Sequence, residues 1–282
     1  MACHYQFRGG NRISTEVIWK MYLIQKQTAA EIAKTLGISE RTVFRMLDSI
    51  DVRWEEPQLK GRHGIIHIDV TYFGRNYGVI IILESSSDQV LYVRTTRHER
   101  VYDYTDAVRT VVEHGYTIDG IVIDGIHQLF SEFKDFKVQM CQFHMAAIIR
   151  RKLTGHPKLP AAIELRCLVL DLTISDEVSF RNRFAEWKTK WAPFLKERTI
   201  NSFTGEWTYT HRRLRSAVQS LEFYIPYLFT YLSVSGMPNT NNKIEGTFTD
   251  LKKNLHNHSG LTQKNRKKFI IGFFLEWNKS RM

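Results

Sequence analysis

The run Gly64–Phe73, GIIHIDVTYF, constrains the fold of this chain more than any other stretch. Ile65, Ile66 and Ile68 place aliphatic side chains on both faces of an extended segment, which is typical of a strand covered on both sides of a sheet. Asp69 interrupts this apolar run, and an ionised carboxylate is costly to bury unless a cation neutralises it. The run therefore predicts a central strand whose acid either reaches a functional site or bonds to nearby backbone.

Net charge and the lack of membrane signals limit the kind of partner. The chain has 282 residues and a formal net charge of +11, with a pI of about 9.5. Nucleic acid is the commonest partner of so basic a protein. No apolar run is long enough to cross a bilayer, and the amino terminus lacks the apolar core of a signal peptide. We therefore expect a cytoplasmic protein with no membrane partner, and its scattered cysteines predict no disulfide framework.

Residues 13–50 have the hydrophobic period of three short helices. The second opens with a capping box at Thr28, and the third follows a suitable N-cap at Ser39. Gly37 suits the tight turn of a helix-turn-helix. The exposed face of the third helix carries side chains suited to phosphates and base edges, namely Arg41, Thr42 and Arg45. The segment predicts DNA binding by these residues, with a plain helical hairpin as the alternative.

Beyond residue 63 the period changes to that of strands. Three consecutive strand patterns are followed by alternating helices and strands, and the order βββαβαβα predicts a mixed sheet with helices on both faces. This is the order of the ribonuclease H-like α/β fold. A later segment has helical period with no competing strand pattern. The predicted divisions are a helix-turn-helix domain at 1–55, a linker at 56–63, the first part of the sheet domain at 64–156, a helical insertion at 157–236, and the second part of the sheet domain at 237–282.

Two further acids lie in settings that suit an active site. Asp124 ends the strand pattern IVID, and catalytic groups collect at such strand ends, although an Asp before Gly is also a common turn residue. Glu245 lies in the first turn of a helix, at capping-box spacing from Asn242, so it either caps the helix or faces a site. His67 shares a strand face with Asp69 and could contact DNA or simply pack.

If the three acids meet, their mutual repulsion calls for a cation between them. Mg²⁺ or Mn²⁺ suits such an all-oxygen site better than zinc does. Two such ions, about 3.5–4 Å apart, would help to activate a water or a 3′-hydroxyl and would stabilise the leaving oxygen of a phosphodiester.

Several motifs together resemble the DDE transposases of bacterial insertion sequences. Asp69, Asp124 and Glu245 occur in that family's order, with a helical insertion before the Glu. Cys141-Gln-Phe-His144 looks like the C/D-x-x-H signature of the Mutator-like branch, and the stretch NNKIEGTF at 241–248 resembles its catalytic Glu region. The resemblance covers the chain from about residue 13 to its end. Relatives often carry a zinc-binding segment before the helix-turn-helix, where this chain has only the pair Cys3-His4.

The resemblance implies a DNA transposase. Asp69, Asp124 and Glu245 would be the catalytic residues and would hold two Mg²⁺ (or Mn²⁺) ions. The helix-turn-helix would bind the terminal inverted repeats of double-stranded DNA, and a freed 3′-hydroxyl would then attack target DNA. Because two DNA ends must be held together, a homodimer or higher oligomer is expected, in the bacterial cytoplasm at the nucleoid.

Two alternative functions remain open from the sequence. The chain could be a DNA-binding regulator or domesticated transposase without strand transfer, or a nuclease of the same fold.

Cys141 and His144 would be signature residues beside the site; they could also form half of a zinc site, or serve in packing and hydrogen bonding. Basic runs at 150–152 and 212–215 are candidate phosphate contacts, although such runs are usually solvated faces.

Overall fold

The computed structural model describes residues 13–258 and 260–281. The pair Cys3-His4 lies outside them. The strands are β1 (His63–Tyr72), β2 (Gly78–Glu84), β3 (Val90–Thr96), β4 (Thr117–Ile123), β5 (Val138–Met140), β6 (Arg198–Ile200) and β7 (Trp207–Tyr209). The helices are α1 (Thr15–Leu23), α2 (Ala29–Leu36), α3 (Glu40–Ser49), α4 (Val101–Glu113), α5 (His127–Glu132), α6 (Gln142–Leu153), α7 (Pro160–Leu170), α8 (Glu177–Lys196), α9 (Arg212–Tyr224), α10 (Asn242–His256) and α11 (Gln263–Lys279).

The chain divides into two compact units. The larger unit is Pro57–Glu245, and the smaller unit joins the residues up to Glu56 with those from Gly246 onward. Within the described residues, no helix is both long enough and apolar enough to span a membrane.

A five-stranded mixed sheet forms the centre of the larger unit. Its order is β3-β2-β1-β4-β5; β2 is antiparallel to both β1 and β3, and β4 is parallel to both β1 and β5. Ile66 and Ile68 of β1 are fully buried, as the apolar run predicted. The pairing of β1 with β4 and the antiparallel meander before it confirm the ribonuclease H-like fold class.

The segment between α6 and α10 contains a strand hairpin as well as helices. Strands β6 and β7 pair antiparallel, with Ile200 opposite Trp207. The expectation of an insertion without strands was therefore wrong at 198–209. Strands of three residues are too short to show a period, although β-branched and aromatic residues there favour extended structure. Helix α9 begins at Arg212, three residues after the hairpin ends.

Two of the arginines considered as phosphate contacts join helices of the larger unit. Nε of Arg213 donates to the carbonyl of Lys152 at 2.8 Å, and Nη1 of Arg215 donates to the carbonyl of Leu195 at 2.7 Å. Both guanidinium groups therefore satisfy carbonyls at helix ends that would otherwise lack partners.

In the smaller unit, three helices lie where the sequence predicted them. Thr28 and Glu31 form the reciprocal capping box of α2, and Ser39 accepts from the backbone of Thr42 at the start of α3. Gly37 ends α2 at a φ of 66°, in the left-handed conformation that a tight turn requires.

The carboxyl-terminal helices group with these three helices. The ring of Tyr22 in α1 lies with its centroid 5.8 Å from that of Phe269 in α11, and 3.9 Å from that of His258. Nζ of Lys268 donates to the carbonyl of Leu47 at the end of α3. The sequence-based division instead placed all of 237–282 in the sheet domain. The grouping differs because the apolar face of α11 packs on α1.

Candidate functional site

Two of the predicted acids belong to neighbouring parallel strands of the larger unit, with Asp69 near the carboxyl end of β1 and Asp124 directly after β4. His67 of β1 is opposite Val122 of β4, and continuing this register by two residues places Asp69 beside Asp124. Glu245 enters from the first turn of α10. The three acids come from segments far apart in sequence, yet all three lie near the carboxyl ends of β1 and β4.

His144 lies between two of these acids. Its Nδ1 is 2.9 Å from Oδ1 of Asp124 and 3.5 Å from Oε1 of Glu245. Burial by itself lowers the pKa of His144, but the contacts with Asp124 and Cys141 outweigh burial and raise this pKa to about 11. The imidazole therefore carries a proton at neutral pH and offsets part of the negative charge around it.

Ionisation of Asp69 is unfavourable in this setting. Protein atoms enclose its carboxyl group, although part of its surface remains accessible to solvent. This burial raises the pKa of Asp69 well above its usual range, and the negative charge of Asp124 adds to the effect. The backbone N–H of Val70, which donates to Oδ1 at 2.7 Å, acts in the opposite direction. Burial also raises the pKa of Glu245, with His144 opposing the rise.

Asn241 connects four segments of the site. Its side chain is fully buried. Nδ2 donates to Oδ1 of Asp124 at 3.2 Å, and Oδ1 lies 2.7 Å from Nδ1 of His67. Its backbone N–H donates to Sγ of Cys141 at 3.2 Å, and its carbonyl accepts from the backbone of Glu245 at 3.3 Å. The sequence analysis gave Asn241 no role of its own. The polar run at 237–242 was the available signal, but it indicated only a helix break.

His67 is buried behind this network. Burial lowers its pKa to about 4, so the ring is neutral near pH 7 and Nδ1–H can donate to Asn241. Its Nε2 lies 3.3 Å from Oγ of Ser85. Of the two earlier interpretations, contact with DNA is excluded by burial, and His67 instead orients the amide of Asn241.

Hydrogen bonds anchor the start of α10 to the residue after β2 and to the first residue of α6. Lys243 donates from Nζ to the carbonyl of Ser85 at 2.6 Å. Asn239 and Gln142 bond reciprocally, with the Gln142 N–H donating to the Asn239 carbonyl at 3.0 Å and Asn239 Nδ2 donating to Gln142 Oε1 at 2.9 Å. These contacts explain how Glu245 reaches the site despite the long insertion that precedes it.

The insertion also braces the loop that follows Asp124. Tyr224 of α9 donates its hydroxyl to the carbonyl of Gly125 at 2.6 Å. A Cβ at Gly125 would lie 2.5 Å from Cδ1 of Ile148, so a larger residue there would require that side chain to shift. The loop geometry that presents Asp124 therefore depends on residues of the insertion.

The smaller unit presents cations to solvent. Arg41 and Arg45 are exposed on α3, whereas Thr42 is half-buried and its Oγ1 lies 3.0 Å from Oγ of Ser39. Lys264 and Lys267 are exposed near the start of α11. The Lys268–Leu47 bond described above brings that start to the end of α3, so the two basic segments border one another.

No protein-family model matches the chain, and no curated protein matches it either. Solved structures that resemble it include the Drosophila P element transposase strand transfer complex, at 10% identity over 98% of this chain and 95% of the other, with a TM-score of 0.42. The HTLV-2 integrase catalytic core in complex with magnesium matches at 18% identity over 44% of this chain and 92% of its own, with a TM-score of 0.24. A simian T-cell lymphotropic virus intasome bound to PP2A regulatory subunit B56 gamma matches at 10% identity over 56% and 69%, also with a TM-score of 0.24.

Proposed function

We propose that this protein is a DNA transposase of a bacterial insertion sequence, of the Mutator-like branch, which cleaves the ends of its element and joins them to target DNA. The observation that carries the proposal is that Asp69, Asp124 and Glu245 lie close together near the carboxyl ends of β1 and β4 in a ribonuclease H-like sheet. A net charge of +11 supports a polyanionic substrate.

The chemistry of the three acids fits a hard divalent cation. Their carboxylates supply the oxygen ligands that Mg²⁺ and Mn²⁺ prefer. The raised pKa of Asp69, caused first by burial and then by the charge of Asp124, reflects a cost of ionisation that a bound cation would relieve. We propose that Asp69, Asp124 and Glu245 hold two Mg²⁺ (or Mn²⁺) ions, which would supply charge stabilisation to the phosphodiester during cleavage and joining.

The chain's own residues would position the substrate and the acids. Asn241 orients Asp124, and His144 holds a proton at Nδ1 between Asp124 and Glu245. Arg41, Thr42 and Arg45 on α3 would bind the terminal inverted repeats, because their side chains suit phosphates and base edges. Two DNA ends would require a homodimer or a higher oligomer, located at the nucleoid in the cytoplasm.

The test uses full-length protein and labelled DNA that carries the inverted repeats flanking its gene. We expect Mg²⁺-dependent cleavage and joined products. Asp69→Asn should reduce cleavage by about 10³-fold or more while DNA binding persists. Asp135→Asn, which changes an exposed acid on a different segment, is the matched control and should resemble the unaltered protein.

The other outcomes would contradict the proposed site or indicate a different activity. Cleavage that is unaffected by Asp69→Asn, or that needs no divalent cation, would contradict the proposed site. Cleaved ends that are never joined would indicate a nuclease. Specific DNA binding without cleavage would indicate a regulator or a domesticated transposase.

A further inference from the structure

A second ligand set overlaps the acid cluster and differs from it in chemistry. A carboxylate oxygen of Asp124, Sγ of Cys141 and a ring nitrogen of His144 all lie within 4.8 Å of one another. Thiolate and imidazole are ligands for zinc-like ions, whereas Mg²⁺ binds oxygen. We propose that Asp124, Cys141 and His144 bind Zn²⁺ or a chemically similar transition-metal ion, with Glu245 as the fourth ligand.

The separations of His144 from the two acids are close to those of a tetrahedral site. With zinc–ligand bonds of about 2.0–2.3 Å, the ligand atoms of a tetrahedral site lie about 3.3–3.7 Å apart. Nδ1 of His144 is 2.9 Å from Oδ1 of Asp124 and 3.5 Å from Oε1 of Glu245. The tetrahedral separation lies between or close to these two distances, and binding of the ion would displace the proton that His144 holds at Nδ1.

The local structure places Cys141 and His144 on the same face of α6. Cys141 is the N-cap of α6 and His144 lies in its first turn, and residues three apart share a helix face. The thiol is fully buried, whereas the side chains of His144 and Asp124 are 26% and 21% exposed. The cluster therefore combines a buried sulfur ligand with an opening through which an ion can enter.

Hydrogen bonds from outside the cluster hold its ligands in place. Nδ2 of Asn241 donates to Asp124, and its backbone N–H donates to Sγ of Cys141. His67 in turn bonds the side-chain oxygen of Asn241. Such outer contacts orient the ligands of metal sites and tune their affinity.

The tertiary structure thus completes what the sequence left as half of a zinc site. Cys-x-x-His supplies two ligands, and a structural zinc site needs four. Asp124 from β4 and Glu245 from α10 are the two that the sequence pattern could not assign. The proposal does not require DNA cleavage, but it shares these two acids with the proposed magnesium site. Zn²⁺ should therefore inhibit any Mg²⁺-dependent cleavage by withdrawing Asp124 and Glu245.

Cobalt titration of the metal-free full-length protein tests this site directly, because a cobalt–thiolate bond gives a near-ultraviolet band and tetrahedral cobalt absorbs visible light. We expect one Co²⁺ ion per chain with both bands, and loss of both when an equivalent of Zn²⁺ displaces it. Cys141→Ser should remove the near-ultraviolet band. Cys167→Ser, which replaces an exposed cysteine, should keep it.

A second variant protects the test against misfolding. His144→Ala keeps the thiol and should weaken cobalt binding by roughly 10–100-fold, with circular dichroism used to check that each variant is folded. The absence of the band in the unaltered protein would overturn the proposal, as would a band that survives Cys141→Ser but not Cys167→Ser. Asp69→Asn should leave cobalt binding intact while it abolishes the proposed cleavage, so the two proposals can fail separately.

Discussion

The two compact units use polar groups in opposite ways. In the larger unit, His67 and Asn241 are fully buried and bonded to one another beside the acid cluster. In the smaller unit, Arg41, Arg45 and Lys267 extend into solvent. A buried, hydrogen-bonded group can fix the positions of reacting side chains. An exposed cation can instead neutralise a phosphate of the DNA backbone and release its counterion. Substitutions in the larger unit should therefore affect stability and chemistry, and those in the smaller unit should affect DNA affinity and its salt dependence.

The largest expected effect is the pH dependence of stability that His67 confers. Its pKa is lowered from 6.5 to about 4 by burial, so the unfolded chain binds the proton more readily. Stability is then complete above pH 6.5 and is lost as the pH falls towards 4. His67 should account for about 3 kcal/mol of this loss. Urea unfolding at both pH values should show that His67→Gln reduces the loss.

The control is His98→Gln, which replaces an exposed histidine of the same unit. This variant should keep the full loss of stability in acid. An equal reduction in both variants would contradict the assignment to His67.

Next in size is the effect of removing the amide that orients Asp124. Asn241→Ala should lower the rate of DNA cleavage by roughly 10–100-fold with little change in DNA affinity, because it removes support for the acid rather than a DNA contact. Asn242→Ala alters the exposed neighbour and is the matched control. Single-turnover cleavage and a binding assay separate the two effects. Equal rates in the two variants would show that the Asn241 side chain does not position the acid.

In the smaller unit, Arg45→Gln should weaken binding to the inverted repeats by about tenfold without changing cleavage of DNA that is already bound. The exposed face of α3 should provide this contact. Arg53→Gln serves as control, since Arg53 is also exposed but bonds Asp51 outside α3. Fluorescence anisotropy measures the affinity. If both variants bind like the unaltered protein, α3 is not the recognition helix.

The smallest expected effect concerns the start of α11. If Lys264 and Lys267 contact phosphates beside α3, each change to Gln should weaken binding only a few-fold and lower the salt slope by about one. Lys279→Gln, at the other end of α11, should leave the slope unchanged. A slope that stays constant in all three variants would confine DNA contact in this unit to other residues.

Local patterns determined much of the architecture. The apolar run around Asp69 predicted a buried central strand, and the capping signals at Thr28 and Ser39 predicted where α2 and α3 begin. These features depend on residues a few positions apart, so the sequence contains them directly. The short hairpin β6–β7 was missed for the complementary reason, since three residues per strand establish no period.

Contacts between distant segments required the tertiary structure. His67 and Asn241 bond across 174 positions, and no periodicity indicates that pairing. The grouping of α11 with α1 likewise depends on which apolar faces meet when the whole chain packs. The sequence by itself determined the central strand and the starts of α2 and α3, because these depend on neighbouring residues, and residue type singled out the three acids as candidates. Only the tertiary structure decided which buried groups orient those acids, because that depends on the simultaneous packing of β1, β4, α6 and α10.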